Sequence, residues 1–229
     1  MPTFAELLAQ LSFLAAMPST FGVLITAGLL VVFLDWRISV FALACQTIFA
    51  GLLFSRVLPA QIAGVKVVVG LLICLQLFVT ARQIGQRRSN SKLPKGLPTE
   101  KPPQPSGSSL PSIIPTGLPF RIVAALMVII IVWQASLLPD LALPEVSSDV
   151  AIATLGLLAL GLLGLGLTEE PLKAGMFLIT VLTGFELYYA AVEPALAVMA
   201  LLAAMDFAVA LGASYLAIVR NSPDRSTAE

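Results

Sequence analysis

Glu186 and Asp206 stand well inside apolar segments, each long enough to cross a bilayer. An ionised side chain at such depth costs ~2.5–3.5 kcal/mol on insertion scales, so these residues usually face a bundle interior and serve ion or proton movement. The acids lie 20 residues apart, in Gly184-Phe185-Glu186-Leu187 and Ala203-Ala204-Met205-Asp206, which predicts a helical hairpin with one carboxylate on each arm. At 1.5 Å per residue their depths are expected to differ by roughly 10 Å, a gap that bridging water would span. Lys66 is the third candidate. It has no polar neighbour in sequence, and either snorkels to an interface or loads and releases a proton from a buried position. Gln46 joins the set as a hydrogen-bonding link between helices or a member of a water chain. The expected proton pathway is therefore Glu186, Asp206, Lys66 and Gln46. The competing reading of each acid is structural, as a partner for a lysine or for a neighbouring helix.

The residues that are missing narrow the chemistry. The chain has no histidine, which removes imidazole acid–base catalysis, a Ser-His-Asp triad, haem ligation by histidine and most zinc sites. Cys45 and Cys74 lie in separate apolar segments without metal-ligand spacing and read as small packing residues in a reducing context. No nucleophile, metal or cofactor cluster converges, so no active site, metal site or cofactor is expected in this chain. A net charge of zero argues against nucleic acid as a partner.

The elements that must position the acids follow from hydropathy. Of 229 residues, 58% are hydrophobic and only 11% are charged, against about a quarter charged in a soluble domain. The fold class expected is all-α, a polytopic membrane helix bundle. About 20 apolar residues span the hydrocarbon core, and seven such spans are predicted at 14–34, 38–55, 60–81, 120–138, 149–167, 171–192 and 195–219. The first has room to begin earlier, with Pro18 only kinking it. The N-terminus, with an acid and no Lys or Arg, does not resemble a signal peptide. Trp36, Trp133, Tyr188 and Tyr189 are candidate interfacial anchors.

Residues 82–118 read as a basic, Pro- and Ser-rich linker between an N-terminal membrane half, 1–81, and a C-terminal half, 119–229. The linker carries Arg82, Arg87, Arg88, Lys92, Lys95 and Lys101 against Glu100 alone, which places it in the cytoplasm. The loop with Asp140, Glu145 and Asp149 falls outside, and the tail with Arg220 and Arg225 inside. The chain is therefore expected N-out and C-in, in a prokaryotic-type inner membrane, with Arg56 on an outer loop as the one dissenter.

At an offset of 140 residues, Ala63-Gly64-Val65-Lys66 lies over Ala203-Ala204-Met205-Asp206, and Gln46 over Glu186. The matched polar positions predict two parallel three-helix repeats plus one extra helix. Gly156, Gly161, Gly164 and Gly166 form a small-residue stripe on the fifth span, a mark of close helix contact. Glu169, Glu170 and Lys173 surround Pro171 at the start of the sixth span, where they either suit the helix dipole or dock a neighbouring subunit.

The run from Pro171-Leu172-Lys173 through Gly184-Phe185-Glu186-Leu187-Tyr188-Tyr189 to Ala204-Met205-Asp206-Phe207 resembles the small K (4L-type) subunit of complex I and the C subunit of Mrp-type cation/proton antiporters. There, three helices carry a G-x-E-L-like and then an A-A-x-E element. Here Asp206 replaces the second Glu, and the separation is shorter. The whole chain outside the linker is similar to component E of hydrogenase-4, on Trp36-Arg37-Ile38-Ser39, Ala44-Cys45-Gln46-Thr47, Val65-Lys66-Val67 and Thr80-Ala81-Arg82. The resemblance implies a non-catalytic membrane-arm subunit of a complex I-like or group 4 hydrogenase-like assembly. It implies Glu186 and Asp206 on the proton pathway and no cofactor in this subunit. Its neighbours would be larger antiporter-like membrane subunits, with redox subunits bearing iron–sulphur clusters in the same complex. The alternatives are a subunit of an Mrp-type Na+/H+ antiporter and a structural scaffold for larger subunits.

Overall fold

Long runs of Leu, Ala, Val and Ile leave the backbone no polar side chains to satisfy it, and in lipid only a helix closes its hydrogen bonds within one segment. The computed structural model describes residues 17–91, 117–137, 146–193 and 195–221, with no side-chain description for 87–91 and 137. Among them are seven helices and no strand: α1 Met17–Val32, α2 Trp36–Val57, α3 Ala60–Ser91, α4 Leu118–Leu137, α5 Ser148–Gly166, α6 Pro171–Val192 and α7 Leu196–Arg220. Six of them are long and apolar enough to cross a membrane, and α1 is a shorter apolar helix. The protein is a polytopic helical membrane bundle.

The expected spans coincide with these helices to within about two residues at most ends. The exception is α3, which continues to Ser91, ten residues past the expected end at 81. The apolar pattern stops there, but Arg and Gln are good helix formers and the ladder carries on. The start of the expected linker is therefore helical. Residues 92–116 lie outside the described residues.

The ends of the helices sort into two groups. One end holds the α2–α3 turn, where Arg56 pairs with Asp149 at 2.9 Å, and Thr20 of α1, which donates to the Asp149 carbonyl at 3.2 Å. The opposite end holds Arg121, which donates to the carbonyls of Val31 (3.2 Å) and Leu167 (2.6 Å), and Lys173, which donates to the carbonyl of Leu34. Successive helices therefore alternate in direction. The first triplet packs as α1–α2–α3 and the last as α5–α6–α7. Across the two triplets α1 meets α5, α2 meets α6 and α3 meets α7, each pair running in the same direction, while α4 lies against α1 and α5. In their most apolar stretches, α2, α5 and α6 are 50%, 56% and 50% buried, whereas α3, α4 and α7 are 22%, 11% and 28% buried. The centre of the bundle is thus α2, α5 and α6, with α3, α4 and α7 at its rim.

Glycines set the seams. A Cβ at Gly164 would lie 2.1 Å from the Phe177 ring, and one at Gly161 only 3.2 Å from the Phe177 carbonyl oxygen, so α5 and α6 touch nearly backbone to backbone. Gly156 faces Leu24 of α1 in the same way, but Gly166, expected in that stripe, faces open space. Between α2 and α3, Gly51 sits under Val67 and Gly70 under Thr47. That close approach brings α3, and with it Lys66, against the bundle centre.

Candidate functional site

The polar side chains that the apolar helices carry inward meet at one place. Gln46 of α2, Lys66 of α3, Glu186 of α6 and Asp206 of α7 line a single cavity of about 30 Å³, together with Thr47 and Thr183. All four expected pathway residues are brought together. Gln46, Glu186 and Asp206 are 1%, 2% and 6% exposed.

Lys66 donates from Nζ to Oε1 of Glu186, an ion pair whose two side chains are almost out of reach of solvent. The lysine therefore does not snorkel away; it is held inward by a carboxylate. Asp206 faces both members of that pair, yet its Oδ1 has no hydrogen-bond partner. Gln46 donates from Nε2 to Thr180 Oγ1 at 3.2 Å, which fixes the amide and turns its Oε1 to the unpartnered side. Thr180 Oγ1 can accept because its own proton goes to the Met176 carbonyl at 3.0 Å. Two buried acceptors without donors thus line the cavity. Leaving a buried polar group unsatisfied costs ~1–3 kcal/mol, so such a place favours a proton on one acceptor or a bridging water. A volume near 30 Å³ admits at least one water, which needs ~10–15 Å³.

The depths differ from expectation. Counted from their shared turn, Glu186 lies six residues before the end of α6 at Val192, and Asp206 ten residues after the start of α7 at Leu196. A four-residue difference is about 6 Å along the axis rather than 10 Å, and a glutamate side chain covers much of that. Lys66 lies six residues after Ala60, level with Glu186, and Gln46 eleven before Val57, level with Asp206. The site thus has two layers: an ion pair nearer the end of Arg56, and an amide with a carboxylate one turn deeper. The 140-residue offset, which pairs Lys66 with Asp206, does not match this depth register.

Lys173, expected with Glu169 and Glu170 as a contact for another subunit, turns the other way. It is buried and donates within the chain to the Leu34 carbonyl, closing the C-terminal end of α1. Glu169 and Glu170 are exposed, and Glu170 at the N-cap of α6 makes no side-chain capping bond. Arg220 anchors the end of α7 on the Glu169 carbonyl at 2.5 Å.

Three participants escaped sequence reasoning. Thr180 and Thr183 look like ordinary helix residues bonding their own backbone, as they do here at 3.0 and 2.8 Å. Arg121 had a signal, a lone arginine four residues inside an apolar helix. Cys45 and Cys74 are free thiols, Cys74 buried with Sγ 3.9 Å from Thr47 Oγ1. Among the described residues no group of three or more His, Cys, Asp or Glu side chains could hold a metal ion. No family model, no curated protein and no solved structure matches the chain.

Proposed function

We propose that this chain is a non-catalytic membrane-arm subunit that carries protons for a complex I-like or group 4 hydrogenase-like assembly. The observation that supports it best is the buried constellation itself. An ion pair, a second carboxylate with a free oxygen, and an amide with a free oxygen share one water-sized cavity in the bundle interior. Ionisable side chains inside spanning helices are rare, and they characteristically mark ion pathways and proton relays.

The chemistry runs between two arrangements. With Asp206 ionised, the Lys66 ammonium has two carboxylates within its field. A proton arriving at Asp206 leaves Lys66 to Glu186 and makes the aspartic acid a donor to the facing Glu186 carboxylate or to a bridging water. A proton arriving at Glu186 frees the ammonium to turn toward Asp206. Each uptake biases the next, which is what a relay requires. Lys66 also lines an apolar groove of about 300 Å³ between α3 and α7, with Ile62, Val65, Val69 and Met199. This group therefore borders both the interior cavity and the rim, where a larger antiporter-like subunit would sit. We place the end with Arg121, Lys173 and Arg220 in the cytoplasm.

The test is proton translocation by the native complex in proteoliposomes, with assembly read separately on native gels. Asp206→Asn should reduce translocation about tenfold or more, as expected for a lost proton-transfer group, with the complex still assembled; Glu186→Gln should do the same, because Asp206 remains to face the Lys66 ammonium. Unchanged translocation in both variants would overturn the reading. One observation favours a second reading: the Lys66–Glu186 pair ties α3 to α6, as a structural lock would. A scaffold predicts that the amide variants lose assembly and translocation together. Sodium-dependent translocation without redox partners would instead indicate an Mrp-type antiporter.

A further inference from the structure

At the end of the bundle where the cations gather, α2 and α3 leave a groove of about 690 Å³ lined by Trp36, Arg37, Phe78, Arg82, Gly85 and Gln86. No acid lines it, and among the described residues neither Arg37 nor Arg82 forms an ion pair. Arg37 is held with its guanidinium carbon 5.3 Å from the centre of the Trp36 ring, and Trp36 packs against Phe78 at 5.9 Å. The aromatic pair gives Arg37 a fixed place rather than free solution (a cation over an indole is favourable by ~0.5–1 kcal/mol at exposed sites). Gly85 has nothing within 4 Å of where a Cβ would be, so the floor beside Arg82 is open.

Below the two arginines the surface turns apolar along the same helix faces. On α3, Phe78, Leu75 and Leu71 follow Arg82 at steps of four, three and four residues, and all are exposed. On α2, Phe41 follows Arg37 at a step of four residues and is 71% exposed. Two cations at the surface, a tryptophan beside them and an apolar strip running into the membrane have the outline of a phospholipid: headgroup, interface and chain.

We propose that the α2–α3 groove is a binding site for an anionic phospholipid, its phosphate held by Arg37 and Arg82 and its acyl chain lying along Phe78, Leu75 and Leu71. Arginine suits this role because its planar fork offers two parallel donors to phosphate oxygens. The apolar strip favours a lipid headgroup over free phosphate, which would gain nothing from it. This site is separate from the buried constellation and independent of its role in proton movement.

The test uses the full chain, with whatever partners co-purify, stripped of lipid in mild detergent and offered dioleoylphosphatidylglycerol or dioleoylphosphatidylcholine. Native mass spectrometry reads bound lipid. The wild type should prefer the glycerol lipid by about 25-fold, a factor of about five for each guanidinium. The R37Q/R82Q variant should lose nearly all of that preference. R82Q alone, altering an exposed side chain that forms no ion pair among the described residues, should lose about fivefold without disturbing the fold. R220Q, at the same end but outside the groove, should keep it. An unchanged preference in R37Q/R82Q overturns the proposal, and so does equal loss in R220Q, which would mean bulk charge. Displacement of the lipid by inorganic phosphate alone at the same concentration would assign the two arginines to a soluble phosphate and overturn the lipid site.

Discussion

Lys66 and Glu186 neutralise each other where little water reaches, and that mutual dependence makes single changes severe. Removing one partner of a buried pair leaves the other charged and uncompensated, at a cost of ~3–5 kcal/mol, while replacing both by apolar groups is often neutral. Lys66→Met should therefore destabilise the bundle by about that amount, and Lys66→Met with Glu186→Leu should recover most of the loss. Unfolding of the purified protein in mixed micelles reads both, and a double variant no more stable than the single would refute the pairing. The types of these residues were legible from sequence because a charge inside an apolar run stands out. Their partnership was not. The sequence gives depth from the far end of α6, where Pro171 begins it, whereas the geometry is set by the end of α6 at Val192 and the start of α7 at Leu196. Measured from there Glu186 drops level with Lys66, on a helix that sequence order places far away.

Contact between helices depends on which glycines face a neighbour, and only structure separates them. Gly161 and Gly166 look alike in the sequence stripe. A side chain at Gly161 meets the backbone nitrogen of Val181 at 3.1 Å and Val181 Cγ2 at 2.6 Å, while one at Gly166 meets nothing within 4 Å. Backbone cannot yield as a side-chain tip does, so α5 and α6 must separate. Gly161→Leu should cost about 1–3 kcal/mol through overpacking, whereas Gly166→Ala should be neutral within ~0.5 kcal/mol. Both are measured by the same micelle unfolding; equal effects would mean that α5 and α6 do not approach as described. The helices themselves were readable because about 20 apolar residues in a row admit little else in lipid. The continuation of α3 to Ser91 was not, since hydropathy marks where a helix leaves the apolar region and not where its hydrogen bonds stop.

The whole molecule carries its charge at its two ends unequally, which bears on the orientation we propose. Among the residues whose side chains are described, Arg37, Arg82, Arg121, Lys173 and Arg220 belong to one end and Arg56 to the other, with Lys66 paired in the interior. Arg56, the one residue that disagreed with the orientation read from sequence, is bound to Asp149 at 2.9 Å. A single cation at that end weighs little against five at the other. The sign of that bias supports the proposed placing of the basic end in the cytoplasm. A fluorescent protein fused after Glu229 should fluoresce in cells, and alkaline phosphatase fused at the same point should stay inactive. Arg56→Gln should leave both readouts unchanged, because it removes a cation that sets no direction. Active phosphatase at the C-terminus would invert the molecule. Glu186 and Lys66, which lie nearer the end of Arg56, would then sit closer to the cytoplasm than Asp206, and a proton would meet the ion pair before the single carboxylate.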